Sequence, residues 1–233
     1  MKLTETRAYA AWGLDRTTMA RLEALGDVIL GAGFNVTGIS DPEEIERTHF
    51  LDSLSLLALS AVTSARRIVD VGSGAGLPAL VLAIALREAA VTAVESQQKK
   101  CGFIQRAAKT LVLKNVDVRC ARAEEYGRGE GRGSHDLAVS RAVAALPVVV
   151  EYSLPLLAHG GHMVAMKGAI SDQERTQAEK AAGILGGESL NAVKLQPFPD
   201  AHNRWAYTVR KVRPTPSAYP RRPGVPAKRP LGG

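Results

Sequence analysis

Cysteine is scarce in this chain, and its two copies, Cys101 and Cys120, form no Cys-x-x-Cys pair. This argues against a disulfide framework and a cysteine-based zinc site, so we expect both thiols to be small buried groups. The five histidines form no His-Glu-x-x-His pattern, and we predict no metal. Apolar runs of about 18 residues, which could span a membrane, are also missing. Because the first residues lack the apolar middle of a signal peptide, we expect a cytoplasmic protein.

Acidic residues are absent from residues 213–233, which we call the tail. The tail holds six of the twelve prolines and five basic residues, which are Arg213, Arg221, Arg222, Lys228 and Arg229. The whole chain has a net charge of +7, and subtracting these five leaves only +2 for residues 1–212. The sequence therefore indicates a nearly neutral body with a basic end. Its prolines are expected to exclude a helix or a central strand there.

Two hydrophobic patterns divide the body of the chain. Residues 14–32 have apolar spacing near 3.6, and Asp41-Pro42 followed by glutamates is a strong helix start, so residues 1–64 are predicted to form a helical cap. From residue 65 to residue 212, short apolar segments alternate with helix-length segments. The predicted strands lie at 66–72, 89–96, 116–122, 135–141, 161–168, 188–198 and 204–212. This pattern predicts an α/β domain with a mostly parallel sheet covered on both faces, ending in two antiparallel edge strands.

Glycines follow the first predicted strand in the stretch "IVDVGSGAGLP", at Gly72, Gly74 and Gly76. In a parallel sheet of this kind the ligand lies at the carboxyl ends of the strands. Glycine permits positive φ and a close approach of backbone to ligand. Glu95 closes the next strand, where a carboxylate can accept hydrogen bonds from two ribose hydroxyls. The alternative is a tight turn and nothing more, but the combination predicts a nucleoside-containing ligand.

Two phosphate-binding motifs are missing at this turn. A P-loop would need Gly-Lys-Ser/Thr after the glycines, whereas Leu77-Pro78 follows. The dinucleotide fingerprint has a third glycine, which packs the helix beneath a pyrophosphate, at the position of Leu77. S-adenosylmethionine contains ribose and adenine without phosphate, so it needs neither motif. The Gly-x-Gly-x-Gly turn with Glu95 resembles class I S-adenosylmethionine-dependent methyltransferases, which implies a Rossmann-like fold with a seven-stranded sheet.

Five stretches together resemble the RsmG (GidB) family of ribosomal RNA methyltransferases. They are "VDVGSGAGLPALVLAI", "RTHFLDSL", "ARAEEY", "DLAVSRAVAAL" and "MVAMKG", and the basic, proline-rich tail is also similar. The resemblance covers residues 35–233 and implies methyl transfer from S-adenosylmethionine to guanine N7 in the 530 loop of bacterial 16S rRNA. The implied partner is 16S rRNA, in the small ribosomal subunit or an assembly intermediate, with the enzyme as a monomer. Two departures are Glu95 where aspartate is common, and Asn35-Val36-Thr37 as the remnant of a longer motif.

The resemblance also implies several cofactor contacts. Gly72 and Leu77 contact the cofactor at the glycine turn, and Ala123 and Glu124 border the adenine. For Glu124 the alternative is a solvated helix start. Arg141, at the end of the fourth strand, is expected between cofactor and substrate, because a guanidinium can hold a carboxylate or phosphate bidentately. Its alternative is an ion pair with a surface acid.

Three further residues are candidates for the substrate side. Lys167 ends the fifth strand, where it either contacts a phosphate or is a solvated strand end. His49 and Asp52 lie three apart on one predicted helix face. They either form a local hydrogen bond between helix and loop or have a role in the pocket.

The chemistry of guanine N7 needs little from the protein. This nitrogen has an exposed lone pair and no proton to lose, so alignment can drive the transfer and no general base is expected. An Asn/Asp-Pro-Pro-aromatic motif, typical of exocyclic amine methylation, is missing after the fourth strand, and no cysteine stands in a Pro-Cys turn. These absences favour a ring nitrogen or an oxygen, and only the resemblance selects N7. Methylation of another RNA, a small molecule or a protein stays open, as does a non-catalytic RNA-binding module.

The tail has two interpretations at this stage. As an RNA-binding arm its basic residues, chiefly Arg221, Arg222, Lys228 and Arg229, contact phosphates, with an affinity that falls as salt rises. The alternative is a disordered end that only improves solubility. On the first interpretation, deleting residues 213–233 weakens RNA binding and leaves cofactor affinity nearly unchanged.

Overall fold

The computed structural model describes residues 1–4, 9–10, 12–34 and 36–233. Its strands are β1 Arg67–Val71, β2 Ala90–Glu95, β3 Val116–Cys120, β4 His135–Arg141, β5 Leu157–Lys167, β6 Asn191–Lys194 and β7 Trp205–Arg210. They form one seven-stranded sheet with the order β3-β2-β1-β4-β5-β7-β6. All the predicted strands are present, which confirms the α/β architecture and the single sheet.

Parallel pairing dominates the sheet. β1 pairs in parallel with β2 and β4, and further parallel pairs join β2 to β3 and β4 to β5. β7 runs antiparallel between β5 and β6. The prediction of two edge strands is therefore right for β6 and wrong for β7, which has a hydrogen-bonded neighbour on each side. This inner position explains why Ala206, Tyr207 and Val209 are buried.

Helices cover both faces of the sheet. They are α1 Arg16–Leu30, α2 Pro42–Ile45, α3 Asp52–Leu54, α4 Ser60–Thr63, α5 Ala79–Ala85, α6 Gln98–Thr110, α7 Ala123–Arg128, α8 Leu146–Ser153, α9 Asp172–Leu185 and α10 Val225–Lys228. Side chains alternate along β1, so Ile68 packs with α1, α5 and α6 while Val69 packs with α8 and α9. The core therefore has two halves, one on each face. Within the described parts of the chain, no helix has the length and apolar character needed to cross a membrane.

The segment before the sheet is less regular than predicted. Asp41 caps α2 as expected, because its side chain accepts a hydrogen bond from the Glu44 amide at 2.8 Å. The helix then widens into a π-helical turn at Glu46–Leu51, and α3 leads into a 3₁₀ turn at Ser55–Ala58. Such π-helical turns are frequent at functional sites. The segment after the predicted helix start is therefore a series of short helical pieces, and Asn35 of the motif remnant lies outside the described residues.

The cysteines correct the sequence interpretation. Cys101 lies in the first turn of α6 and is buried, whereas Cys120 ends β3 and is exposed. The structure joins them in a disulfide, with their Cα atoms 5.8 Å apart. They meet because β3 is the sheet neighbour of β2 and α6 begins just after β2. The expectation of two separate buried thiols is therefore wrong.

The tail folds back onto the body. Arg132 donates hydrogen bonds to the carbonyl oxygens of Tyr219 (2.6 Å) and Thr215 (2.7 Å). Near the end of the chain, α10 adds one helical turn, so the expectation that prolines exclude any helix is wrong. Gly224, with φ of 80°, precedes this turn. Pro226 stands in the first turn, where a backbone N–H group would have no hydrogen-bond partner within the helix. Neither a free arm nor a disordered end describes this tail.

His135 makes the stability of this fold sensitive to acid. It is buried at the start of β4, where its Nε2 lies 3.1 Å from the Tyr126 hydroxyl. Burial, with the charge of Arg67 as a second cause, lowers the pKa of His135 to about 4. As the pH falls below about 6.5, His135 binds a proton in the unfolded chain before it does so in the folded chain. The free energy of unfolding therefore decreases until the pH reaches about 4.

Replacing His135 with phenylalanine is expected to reduce this acid sensitivity. The loss of unfolding free energy between pH 7 and pH 5 should be smaller by about 2 kcal/mol than in the original chain. Urea unfolding at the two pH values measures the difference. The same experiment on a His202→Gln variant is the control, because His202 is exposed. An unchanged pH dependence in the His135 variant would contradict the prediction.

Candidate functional site

Two adjoining cavities open at the carboxyl ends of β1, β2, β4 and β5. The larger cavity has a volume of about 450 Å³ and the smaller cavity about 270 Å³. Asp52, Arg141 and Ala142 line both, so they form the boundary between them. The rest of the larger cavity is lined by Val36, Thr37, Thr48, His49, Gly72, Ser73, Gly74, Ala75, Leu77, Glu95 and Lys100. The rest of the smaller cavity is lined by Met166, Lys167, Gly168, Leu195, Arg204 and Trp205.

The glycine turn forms the floor of the larger cavity. Gly72 has φ of 72°, and a Cβ atom there would lie 2.9 Å from a methyl carbon of Val143. Gly74 also has a positive φ, and both glycines line the cavity. Gly76 is different, because a Cβ atom at this position would lie 2.7 Å from Leu80 Cδ1 in the core. The first two glycines therefore present backbone to a ligand, while the third lets the turn pack on α5.

Glu95 is held in place by the same turn. Its Oε2 accepts a hydrogen bond from the Gly74 amide at 2.9 Å, and its Oε1 accepts one from the Gln97 amide at 2.8 Å. The side chain lines the larger cavity and the residue is only 6% exposed. Each carboxylate oxygen retains a second acceptor position. This arrangement fits the two ribose hydroxyls of S-adenosylmethionine.

Behind the turn lies Asp70, which the sequence interpretation did not single out. It is fully buried, and its Oδ2 accepts a hydrogen bond from the Ala79 amide at the start of α5, at 3.1 Å. Burial raises the pKa of Asp70 to about 7, against the lowering effect of that hydrogen bond. A carboxyl in the middle of an apolar strand was the signal that could have identified it. Asp70 fixes the start of the helix that follows the glycine turn.

Arg141 lies at the boundary of the two cavities. Its Nη1 donates a hydrogen bond to the Thr48 carbonyl at 2.8 Å and lies 3.6 Å from Asp52 Oδ2. Its Nη2 is 3.4 Å from His49 Nδ1. The expected alternative, an ion pair with a surface acid, does not occur, because Asp52 is itself buried. Arg141 therefore connects β4 to the π-helical turn and α3.

His49 and Asp52 both face ligand space. Burial, followed by the charge of Arg141, lowers the pKa of His49 to about 4, so this imidazole is neutral near pH 7. Burial raises the pKa of Asp52, while Arg141 and Arg204 oppose that rise. Among the described residues, none donates a well-directed hydrogen bond to Asp52 Oδ1 or pairs with His49 Nε2. Both side chains contact Arg141, and Asp52 also pairs with Arg204, so a role of the two residues in the pocket stays a prediction.

Lys167 ends β5 at the wall of the smaller cavity. Its Nζ donates a hydrogen bond to the Ala144 carbonyl at 2.8 Å and lies 3.3 Å from Glu174 Oε1. It is thus neither a solvated strand end nor a free cation. A phosphate contact by Lys167 stays a prediction, and it would have to compete with Glu174.

Ala123 and Glu124 line neither of the two cavities. Ala123 packs against the core half that contains α8, and Glu124 is buried. Glu124 Oε1 accepts a hydrogen bond from the Gly224 amide of the tail at 2.9 Å. The solvated helix start that was its alternative is therefore wrong. The contact of these two residues with adenine stays a prediction.

Sequence reasoning missed the polar and aromatic wall of the smaller cavity. Arg204 and Trp205 were assigned only to a strand, although an arginine and a tryptophan together at a strand start are a usable signal. Thr37 of the larger cavity gave no comparable signal, because it belongs to the segment before the sheet. Lys100 was also not singled out, although it lies in the first turn of α6, just after Glu95. Among the described residues, no three His, Cys, Asp or Glu side chains form a group that could hold a metal ion.

Comparisons with known proteins give one consistent family. The family described as "rRNA small subunit methyltransferase G" (GidB) matches residues 22–201. A protein of that name from Rubrobacter xylanophilus is 42% identical over 97% of this chain and 90% of its own length. Another, from Moorella thermoacetica, is 40% identical over 91% of this chain and 90% of its own length.

Solved structures agree on the fold. An O-methyltransferase of Thermotoga maritima has a TM-score of 0.55 at 19% identity, over 81% of this chain and 71% of its own. A tRNA methyltransferase of Aquifex aeolicus has a TM-score of 0.54 at 18% identity, over 81% of this chain and 76% of its own. At these identities the likeness establishes a class I methyltransferase fold. The extensive sequence identity goes further, and this chain belongs to the rRNA small subunit methyltransferase G (GidB) family.

Proposed function

We propose that this protein methylates N7 of a guanine in the 530 loop of 16S rRNA, with S-adenosylmethionine as methyl donor. The observation that carries this proposal is the pair of joined cavities in a chain of this family. One cavity has the carboxylate and backbone cradle that an adenosyl group needs. The other opens beside it across Arg141 and has room for the accepting base.

The larger cavity suits the cofactor in several ways. Glu95, fixed by the Gly74 and Gln97 amides, would accept hydrogen bonds from the ribose hydroxyls. Gly72 and Leu77 would contact the cofactor at the turn, since both line the cavity. When bound, S-adenosylmethionine supplies an electrophilic methyl group on a sulfonium. Arg141, at the boundary, is placed to hold a carboxylate of the cofactor or a phosphate of the RNA.

The residues at the boundary fit a reaction without a general base. His49 is a weak base because its pKa is lowered to about 4, and Asp52 is engaged by two arginines, so neither suits the role of a dedicated proton acceptor. Guanine N7 needs none, because its lone pair attacks directly. The contribution of this chain is then to align the two reactants and to keep water from the boundary.

The substrate side extends beyond the cavities. Arg222, Lys228 and Arg229 are exposed, and we propose that they contact rRNA phosphates. Arg221, which we expected to act with them, is instead committed to a buried ion pair with Glu151. We further propose that the protein acts as a cytoplasmic monomer on 16S rRNA in the small ribosomal subunit or an assembly intermediate. The division at residues 64 and 212 also stays a proposal.

Methyl transfer into undermethylated small subunits tests the proposal. Labelled S-adenosylmethionine is the donor, and the labelled nucleotide is mapped in the rRNA. We expect label on one guanine, at N7. Label on another base or another RNA would overturn the N7 assignment, and cofactor binding without any transfer would favour a non-catalytic RNA-binding module.

Replacing Glu95 with glutamine is expected to weaken cofactor binding by about 10- to 100-fold, since hydrogen bonds to a charged acceptor are lost. Calorimetric titration with S-adenosylhomocysteine measures the change. Glu88→Gln is the matched control, because Glu88 is exposed just before β2, at the opposite end of the sheet. Equal affinities of the two variants would contradict the role of Glu95.

A further inference from the structure

The smaller cavity combines apolar walls with a few polar groups. Trp205 supplies an aromatic surface, and Met166 and Leu195 are buried beside it. Trp205 lies opposite Lys167 in the pairing of β7 with β5, so its position is fixed by the sheet. Enzymes that modify a nucleobase stack the extruded base on such side chains and read its edge with hydrogen bonds. The walls of this cavity therefore suit a base.

The acceptor in this wall is Asp52. The residue is only 6% exposed and lines the smaller cavity, and its Oδ1 forms an ion pair with Arg204. A carboxylate has about four acceptor positions, so Asp52 can also accept a hydrogen bond from an N–H group of a ligand in the smaller cavity.

A donor stands directly beside this acceptor. Arg204 Nε lies 3.2 Å from Asp52 Oδ1, and the same guanidinium donates from Nη1 to the His202 carbonyl at 3.2 Å. The Arg204 side chain is 37% exposed, so part of its planar fork remains available at the cavity. Asp52 and Arg204 thus present an acceptor and a donor side by side.

This pattern distinguishes the purines. Guanine carries the O6 acceptor next to the N1–H donor, whereas adenine carries an amino donor next to the N1 acceptor. Resting on the proposed function, we propose that Asp52 and Arg204 read the guanine, with Asp52 accepting from N1–H and Arg204 donating to O6. N7 lies on the O6 side of the purine, which leaves it free to face the boundary at Arg141 and Ala142. Adenine in the same position would bring donor against donor and acceptor against acceptor.

The competing explanation is a purely structural ion pair. On that explanation Asp52 and Arg204 only tie α3 to the start of β7. Their loss would then slow methylation of every base by a similar factor. Discrimination between bases, rather than activity alone, is the quantity that separates the two explanations.

The test measures kcat/KM on small subunits reconstituted with 16S rRNA that carries guanosine, inosine or adenosine at the accepting position. Inosine keeps O6, N1–H and N7 and lacks only the 2-amino group. The original chain should methylate guanosine and inosine within about threefold of each other, and adenosine at least about 30-fold more slowly. In Arg204→Met and Asp52→Asn the guanosine to adenosine ratio should contract at least tenfold. Affinity for S-adenosylhomocysteine should stay within about threefold in Arg204→Met, because Arg204 does not line the larger cavity.

Arg210→Met is the matched control, since Arg210 ends the strand that Arg204 precedes and pairs with exposed Glu188 away from the cavity. The use of two variants keeps the test valid if Asp52→Asn does not fold. A ratio that Arg204→Met leaves unchanged would overturn the proposal, as would inosine reacting as slowly as adenosine. If the original chain transfers no methyl group to the guanosine particle, the proposed function itself fails. That outcome is distinct from failure of the guanine-reading pair.

Discussion

Replacing Arg221 with methionine is expected to lower the free energy of unfolding by about 3 to 5 kcal/mol, because it leaves a buried charge without its partner. Glu151 in α8 is fully buried. Its Oε1 accepts hydrogen bonds from the Arg221 amide (2.8 Å) and Nε (2.9 Å), and its Oε2 accepts one from Nη2 at 2.5 Å. This is a large effect for a residue so near the end of a basic, proline-rich segment.

Urea unfolding of Arg221→Met and Arg222→Met provides the measurement and its control. Arg222 is exposed, so its replacement should change the unfolding free energy by less than about 0.5 kcal/mol. Adding Glu151→Met to Arg221→Met should recover much of the loss, since the uncompensated charge is then removed. Equal stabilities of the two single variants would contradict a stabilising role of the Arg221–Glu151 ion pair.

Replacing Arg141 with methionine is expected to reduce kcat/KM for rRNA methylation by about 100-fold or more. The change removes the guanidinium at the boundary of the two cavities and leaves the Thr48 carbonyl without its donor. Small displacements of reacting groups are enough for a loss of this size. Lysine at this position should restore little, because an ammonium cannot reproduce the planar fork that reaches Thr48 and Asp52 together.

Methyl transfer into small subunits measures this effect, and Arg175→Met on the exposed side of α9 is the control. Thermal unfolding of each variant separates loss of activity from loss of fold. Activity of Arg141→Met within threefold of the control would remove Arg141 from the reaction. If Glu95→Gln still weakens cofactor binding in that case, the larger cavity remains assigned to the cofactor.

The parts of the site that sequence reasoning predicted are local in the chain. Gly72, Gly74 and Glu95 stand at the ends of neighbouring parallel strands, so a strand pattern is enough to bring them to one edge of the sheet. Arg141 came from the family resemblance, supported by its position at the end of the fourth predicted strand. None of these predictions needed knowledge of how distant segments pack.

The parts that were missed depend on packing between distant segments. Asp52 was a candidate from the sequence, but its contact with Arg204, which directly precedes β7, was not predicted. Arg221 finds Glu151 across 70 residues of sequence. Cys101 and Cys120 meet through the adjacency of β2 and β3. Spacing in one sequence carries no signal for such contacts, since they follow from which segments the sheet places side by side.

The position of β7 has a consequence for biosynthesis. β7 is made after β6 but lies between β6 and β5, so until residues 205–210 have left the ribosome β6 has no partner strand and β5 is paired only with β4. Until then β5 presents an apolar edge whose backbone groups are unpaired, the kind of edge that recruits other chains. A nascent chain stopped between β6 and β7 is therefore a candidate for aggregation or chaperone capture, and premature termination there removes the whole antiparallel end of the sheet.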